Sequence, residues 1–380
     1  MVGLRAPRVK RLFIVIVILG ASAAPVFAQS SSLSGTLAEG WTALGTGDVA
    51  KAGKAADRAL ADAPRSAAAV ALAVEVDIAK GGPVAGLDVY ERWLGNRRVD
   101  DAYVLRRIAE AHLRSVVSAR KQPALTEARK ALAADGDQAA AAELSKAAST
   151  GSSLEAAAAA SIGDRAAIDA MIARLQDPMP GKVTVIEALG NAGSSRAIAP
   201  LMKLLSDPRQ ENRAAAAEAL GKLGAADAIP QLRALLNDPV QPVQFAAAGA
   251  LYRLQDMSGA NVLDGLLTSE YPTVRLSAAE MMSGTPTPTW QSIVKSLLDE
   301  SDELVQLRAA RLIAPYDMQA AAATLERLGQ SQNMAIREEA AKAYVNHLAA
   351  DFASLRRYLR NADPVTSVAA ASRILELTRK

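Results

Sequence analysis

Cysteine is absent from this chain of 380 residues. That removes a disulfide framework, a thiolate metal site and a lipid-modified N-terminal cysteine together. Histidine occurs only at His112 and His347, in different halves of the chain and each followed by leucine. Neither has a second histidine or a thiol near it in sequence, so the usual starting points for a transition-metal or nucleophilic site are missing. We assign no catalytic residue, no cofactor-binding residue and no metal ligand, and expect a non-enzymatic protein. An acidic run, Asp299, Glu300, Asp302 and Glu303 around Ser301, lacks the spacing and the glycine of a calcium loop and reads as a solvated turn.

Excess charge is also scarce. The formal charge is +3, and Arg5, Arg8, Lys10 and Arg11 are unopposed within residues 1–28, so the remainder carries 3 − 4 = −1. A near-neutral chain lacks the basic footprint that nucleic-acid binding needs, so nucleic acid is not an expected partner. Long apolar runs are few. Leu12 to Leu19 is followed by Gly20, Ser22 and Pro25 and falls short of the roughly 20 residues that a membrane span requires. A basic start, a short apolar run and Pro-Val-Phe-Ala before Gln29 describe a secretory signal over residues 1–28, cleaved after Ala28. The expectation is an exported protein, periplasmic or secreted, with no membrane span after cleavage. Residues 29–36 are polar and serine-rich and read as a flexible leader, with helical structure from about Leu37.

What the chain does contain is 50% hydrophobic residues with 4% aromatics, a composition of alanine and leucine that lets helices approach closely. Residues 207–239 begin and end on Asp-Pro with two apolar-periodic segments between them. Asp207 reads as an N-cap with Pro208 at the first helical position, and Gly221 and Gly224 as the stop. A leucine closing the first segment recurs at Leu175, Leu205, Leu236, Leu267, Leu298, Leu328 and Leu359, and the steps between these positions differ by no more than one residue. A second landmark, an arginine six residues into the second segment, is read at Arg213, Arg275, Arg308 and Arg337, with Gln244 and Ala369 in its place elsewhere. Such a period, within the roughly 20 to 50 residues typical of repeat proteins and built from helix pairs, predicts an all-α fold, an α-solenoid in which each pair buries its face against its neighbours.

The pattern DPxxxxR-A-A-x-A-L-G-x-L-G…A-I-P-x-L-x-x-L-L resembles the short HEAT repeats of the phycobilisome-lyase type. It weakens after Leu267, where Tyr271-Pro272 and Ser301-Asp302 replace Asp-Pro, and returns at Asp363-Pro364. The resemblance implies a concave face that holds another molecule, over about seven helix pairs in residues 151–380. HEAT-repeat hydroxylases carry His-Glu pairs on successive repeats, and no His-Glu dipeptide occurs here. Residues 37–150 resemble tetratricopeptide repeats. Leu44, Gly47, Ala56 and Leu60 return in the same order as Ile78, Gly81, Tyr90 and Leu94, each displaced by the length of one such repeat, and ALTEARKAL at Ala124–Leu132 follows as a third copy. A Gly-Ser cluster near residue 151 marks the expected break.

The expected function is an exported scaffold for a protein or peptide partner, or alternatively an accessory or chaperone-like factor for a prosthetic group or partner enzyme. In a solenoid the second helices line the inner curve, so Glu218, Lys222, Arg253, Glu280, Arg311 and Lys342 are expected in the groove, their charges changing sign along it. Tyr271 and Trp290 are the expected aromatic anchors, Trp290 because it follows the extended, proline-rich connection SGTPTPT. The alternative for Trp290 is that it fills a gap at an irregular stacking step. For the arginine series, a carboxylate-binding ladder stands against pairs that lock neighbouring units. The C-terminal basic residues Arg356, Arg357, Arg360, Arg373, Arg379 and Lys380 read as the polar cap of a terminal repeat. If residues 1–28 are a signal, mass spectrometry of the chain recovered from its own cell finds an N-terminus within a few residues of Gln29; an intact Met1 chain held in membranes is the contrary result.

Overall fold

The structure, a computed structural model, describes residues 31–97, 99–120, 124–149, 153–176, 182–283, 286–349, 351–361 and 363–379. The expected signal peptide lies outside the described residues. Among those residues every regular element is helical. The chain divides into two compact units, one ending at Ala111 and one beginning at His112.

The first unit holds α1 (Ser31–Gly45), α2 (Val49–Asp62), α3 (Ala67–Gly81), α4 (Pro83–Leu94) and the start of α5 (Ala102–Ala119). Helix α1 starts six residues before Leu37, because Leu33 is buried beside Ala59 and Ala69 and draws its turn into the core. The expected leader is therefore helical from Ser31. Short turns join α1 to α2 and α3 to α4, and each pair packs together. Asp48 caps α2 by accepting from Lys51 N, and Ser66 caps α3 by accepting from Ala69 N. Tyr90 is fully buried; its hydroxyl donates to Asp100 and accepts from Asp101 N.

The second unit continues with α6 (Ala124–Ala134), α7 (Gln138–Ser149), α8 (Ser153–Ser161), α9 (Arg165–Arg174), α10 (Lys182–Asn191), α11 (Ile198–Leu204), α12 (Gln210–Lys222), α13 (Ile229–Leu235) and α14 (Gln241–Arg253). It ends with α15 (Met257–Leu267), α16 (Pro272–Met281), α17 (Pro288–Ser296), α18 (Glu303–Ile313), α19 (Met318–Leu328), α20 (Met334–His347), α21 (Phe352–Leu359) and α22 (Pro364–Leu377). The break expected near residue 151 falls inside this unit, because α7 packs against α6 and α8, and the expected third tetratricopeptide copy is α6. The even-numbered, second helices pack against one another in series from α6 to α22. First helices α7, α15, α17 and α19 each lie between their own second helix and the one before it. Helices that touch their successors lie on the inside of a curve, so the second helices form the inner face.

Glycine permits the closest of these approaches. A Cβ on Gly190 would lie 2.8 Å from Ala219 Cβ, and one on Gly221 2.7 Å from Ala250 Cα. Gly221 is thus a packing residue inside α12 and not its stop, which is Gly224 with φ +67°.

The turns entering α12, α14, α16, α18 and α20 are built by one repeated bond. Arg213 donates to Asp207 O (2.9 Å), Gln244 to Asp238 O (2.6 Å), Arg275 to Ser269 O (2.9 Å), Gln306 to Glu300 O, and Arg337 to Ser331 O (2.7 Å). Each donor reaches back six residues, and the donors follow one another at a constant interval. The landmark expected at Arg308 is therefore Gln306, while Arg308 points elsewhere. The same register shows that Tyr271-Pro272 and Asp363-Pro364 do not replace Asp207-Pro208. Tyr271 and Asp363 are helix N-caps, whereas Asp207 and Asp238 lie two residues before theirs and accept from Arg209 N and Val240 N. Helix α12 accordingly starts at Gln210, not at Pro208. Arg213 also grips Asp238 of the next repeat in a fork (2.8 and 2.9 Å), and Arg275 reaches Glu300 at 2.7 Å. The locking reading of the arginine series is the one the geometry supports.

The last pair has two neighbours. Helix α22 packs on α20 and α21 and also on α6, and Arg379 donates to Ala134 O at 3.0 Å, 3.7 Å from Asp135. The row of second helices closes on itself within this unit, and Arg379 belongs to the closure and not to a free polar cap.

Leu359 is 3% exposed, whereas Leu236 is only half-buried. Leu359→Ala should therefore cost about 2 to 5 kcal/mol and Leu236→Ala less, measured by urea denaturation. Hydrogen bonding from Arg213 holds the Asp238 carboxyl below its ordinary range. A depressed carboxyl contributes stability that is present above its unfolded pKa and is lost as pH falls through the folded one. Asp238→Asn should cost about 1.5 to 3 kcal/mol at neutral pH, and the difference from wild type should vanish in acid. A difference that persists in acid would show that Arg213 is not the cause.

Candidate functional site

One position of the second helices carries a charge in six of seven repeats: Glu187, Glu218, Gly249, Glu280, Arg311, Lys342 and Arg373, each one full repeat from the next. These residues sit on α10 through α22, on helices that touch in series, so their side chains share one inner strip. One turn further along are Asn191, Lys222 and Arg253. Their proximity is visible in the electrostatics. Burial raises the Glu218 carboxyl above its usual range, Lys222 and Arg253 act against that shift, and Glu187 and Glu280 add to it.

The structure brings together Arg253, Glu280, Arg311 and Lys342 of the expected groove residues, with Glu218 and Lys222. Most are already tied to the fold. Lys222 donates to Asn191 at 3.0 Å, and Arg253 donates to Glu280 O at 3.1 Å. Arg308 forks onto the Glu280 carboxylate at 2.8 and 2.5 Å. Arg311 and Lys342 share Glu339 at 3.4 and 3.9 Å, and both pairs are loose and solvent-exposed. Arg373 donates to Leu348 O and pairs with Glu376. Glu218 is half-buried, and its carboxylate accepts no hydrogen bond from the described residues. Gly249 beside it presents no side chain, because a Cβ there would meet Met281 Cβ at 2.9 Å.

Signs do not alternate along the shared position. Glu187, Glu218 and Glu280 form one end and Arg311, Lys342 and Arg373 the other. Burial lowers the His347 pKa, and Arg373 and Arg311 lower it further, which places that imidazole at the basic end. Arg253 is pushed below its ordinary pKa by burial, with Glu218 opposing.

Two expected anchors do not join the strip. Trp290 is fully buried, donates to Ala279 O at 2.7 Å and meets Tyr316 edge-on at 5.5 Å. It fills the gap left where the regular connection is replaced by SGTPTPT, and it offers no surface to a partner. Tyr271 is 60% exposed but caps α16, at the turn and not on the inner strip. Glu187 and Glu339 belong to the strip and escaped the sequence reading, although stepping one repeat back from Glu218 leads to the former.

Chemistry is sparse. His112 is half-buried on α5, its buried Nε2 has no hydrogen-bond partner among the described residues, and desolvation holds its pKa down to about 4. It is remote in sequence from His347, and among the described residues no group of histidine, aspartate and glutamate is placed to hold a metal ion. No helix of the described residues is long and apolar enough to cross a membrane.

No curated protein matches the chain. Among solved structures, it is similar to the complex of CpcE and CpcF of phycocyanin lyase from Nostoc sp. PCC7120, with 21% identity over 70% of this chain and 94% of that one, at a TM-score of 0.39. Human deoxyhypusine hydroxylase in complex with glycerol is similar over 72% of this chain and 98% of that one, with 19% identity and a TM-score of 0.33. An engineered protein is similar over 91% of this chain and 99% of that one, with 21% identity and a TM-score of 0.27. The family model for HEAT repeats matches residues 168–252 and 199–283. Those spans run from α9 to the end of α16 and contain the close approaches at Gly190 and Gly221 and the Arg213–Asp238 lock, so this part of the second unit is built on HEAT repeats.

Proposed function

We propose that this chain is a non-enzymatic scaffold whose second unit holds a polypeptide partner against the inner strip of its second helices. The observation that carries the reading is the position charged in six of seven repeats on one face, with the half-buried Glu218 second in the row. A carboxylate kept partly desolvated without a donor gains most from a cation brought to it. The signs at that shared position, acidic at Glu187, Glu218 and Glu280 and basic at Arg311, Lys342 and Arg373, favour a partner segment that is basic at one end and acidic at the other. The basic, apolar start of the chain supports a working place in the periplasm or outside the cell.

The test uses residues whose charge the fold does not need. Charge reversals Glu187→Lys with Glu218→Lys, and Arg311→Glu with Lys342→Glu, are compared with Lys203→Glu on a first helix. Partners are captured from the native envelope fraction and identified by mass spectrometry, with folding followed by circular dichroism. Either inner pair should reduce capture of the same polypeptide at least about tenfold, and Lys203→Glu should leave it unchanged. Loss in the Lys203 variant alone would move the binding face to the first helices. A coloured or metal-bearing ligand released from the purified chain, with no polypeptide captured, would favour an accessory factor for a prosthetic group.

A further inference from the structure

The turns that lead into α14, α16, α18 and α20 lie side by side along one rim of the second unit, because those helices pack in series. These turns, residues 237–240, 268–271, 299–304 and 329–334, contain six acidic residues, Asp238, Glu270, Asp299, Glu300, Asp302 and Glu303, and no lysine or arginine. They also contain three large apolar side chains that stand in solvent: Tyr271, 60% exposed, Leu304, 52%, and Met334, 62%. All three occupy the N-cap or first turn of a second helix. That location favours polar caps and acids, and an apolar side chain there buries nothing of its own helix.

Part of the acidity serves the fold. Asp302 caps α18, Asp238 and Glu300 hold Arg213 and Arg275, and Glu303 accepts from Ser331. The side chains of Glu270 and Asp299 have no such bond, and Tyr271, Leu304 and Met334 have no packing role. Exposed apolar groups in a row, edged by charge of one sign, are the surface expected of an interaction site.

We propose that this rim is a second docking surface, separate from the inner strip, and that it takes a basic amphipathic segment of a partner protein. The charge balance is acidic: the six carboxylates stand against the guanidiniums of Arg213, Arg275 and Arg337, the first two already held by Asp238 and Glu300. The spacing also fits. Neighbouring helix axes lie roughly 8 to 10 Å apart, close to the roughly 10 Å rise of seven helical residues, so apolar side chains one heptad apart would meet Tyr271, Leu304 and Met334 in turn.

The probe is a synthetic helical peptide with leucines at heptad spacing and lysines elsewhere, and its control carries glutamates in place of the lysines. Binding to the full chain is followed by fluorescence anisotropy at low and high salt. The chain should bind the leucine–lysine peptide, more weakly at high salt, and leave the leucine–glutamate peptide unbound. Tyr271→Ser, Leu304→Ser and Met334→Ser together should weaken binding at least tenfold. Glu270→Gln with Asp299→Asn should weaken it several-fold, and Glu187→Lys with Glu218→Lys on the inner strip should leave it unchanged. Because the substituted rim side chains are exposed, circular dichroism should report an intact fold in each variant. Equal binding of both peptides, or a triple variant that binds as wild type does, overturns the proposal. Concentration-dependent dimerisation of the wild-type chain that the triple variant abolishes would assign the rim to a second copy and overturn it as well.

Discussion

Five successive second helices, α12 to α20, depend on one repeated hydrogen bond: a long side chain six residues along reaches back to the carbonyl at the start of its own turn. Arginine and glutamine both make it, since each carries an N–H at the end of a flexible stem. Arginine carries further donors in a fixed fork, and at Arg213 and Arg275 they extend to the carboxylate of the following repeat. Arginine and glutamine alternate, so the interlocked unit is a double repeat. The turn fixes the angle at which each second helix leaves, and the inner strip and the acidic rim both inherit their alignment from it.

Much of this was legible from leucine spacing alone, because a residue at the end of every first helix must meet the same neighbours each time. The register of the second helices was not. Arg308 lies two residues past the true position and carries the expected residue type, so a reading by residue type places the landmark there, while Gln306 passes unnoticed. Chemical equivalence between arginine and glutamine at a backbone carbonyl becomes apparent only once the carbonyl is in view. The same ambiguity moved the Asp-Pro dipeptides. Proline before a helix and proline two residues earlier leave the same trace in sequence, since both satisfy its fixed φ and missing N–H.

The inner strip was read in part. Residues one repeat apart were accessible to arithmetic, but their mutual pairing was not, nor the segregation of sign that follows from including Glu187 and Arg373. Trp290 illustrates a different limit. An aromatic after an irregular loop suits both a binding anchor and a filler, and the choice rests on whether its indole N–H finds a carbonyl inside, as it does at Ala279.

The contact between α22 and α6 changes what kind of object the second unit is when it unfolds. An open array of repeats melts from its ends, each unit held only by the next. Here Arg379 and Ala134 are 245 positions apart in sequence and still share a hydrogen bond. Closing so long a loop has an entropic cost that comes late, after the intervening helices are in place. Fraying at either terminus then removes a neighbour from the other. The unit should lose its ends together, as one cooperative body, where a linear stack would shed them separately.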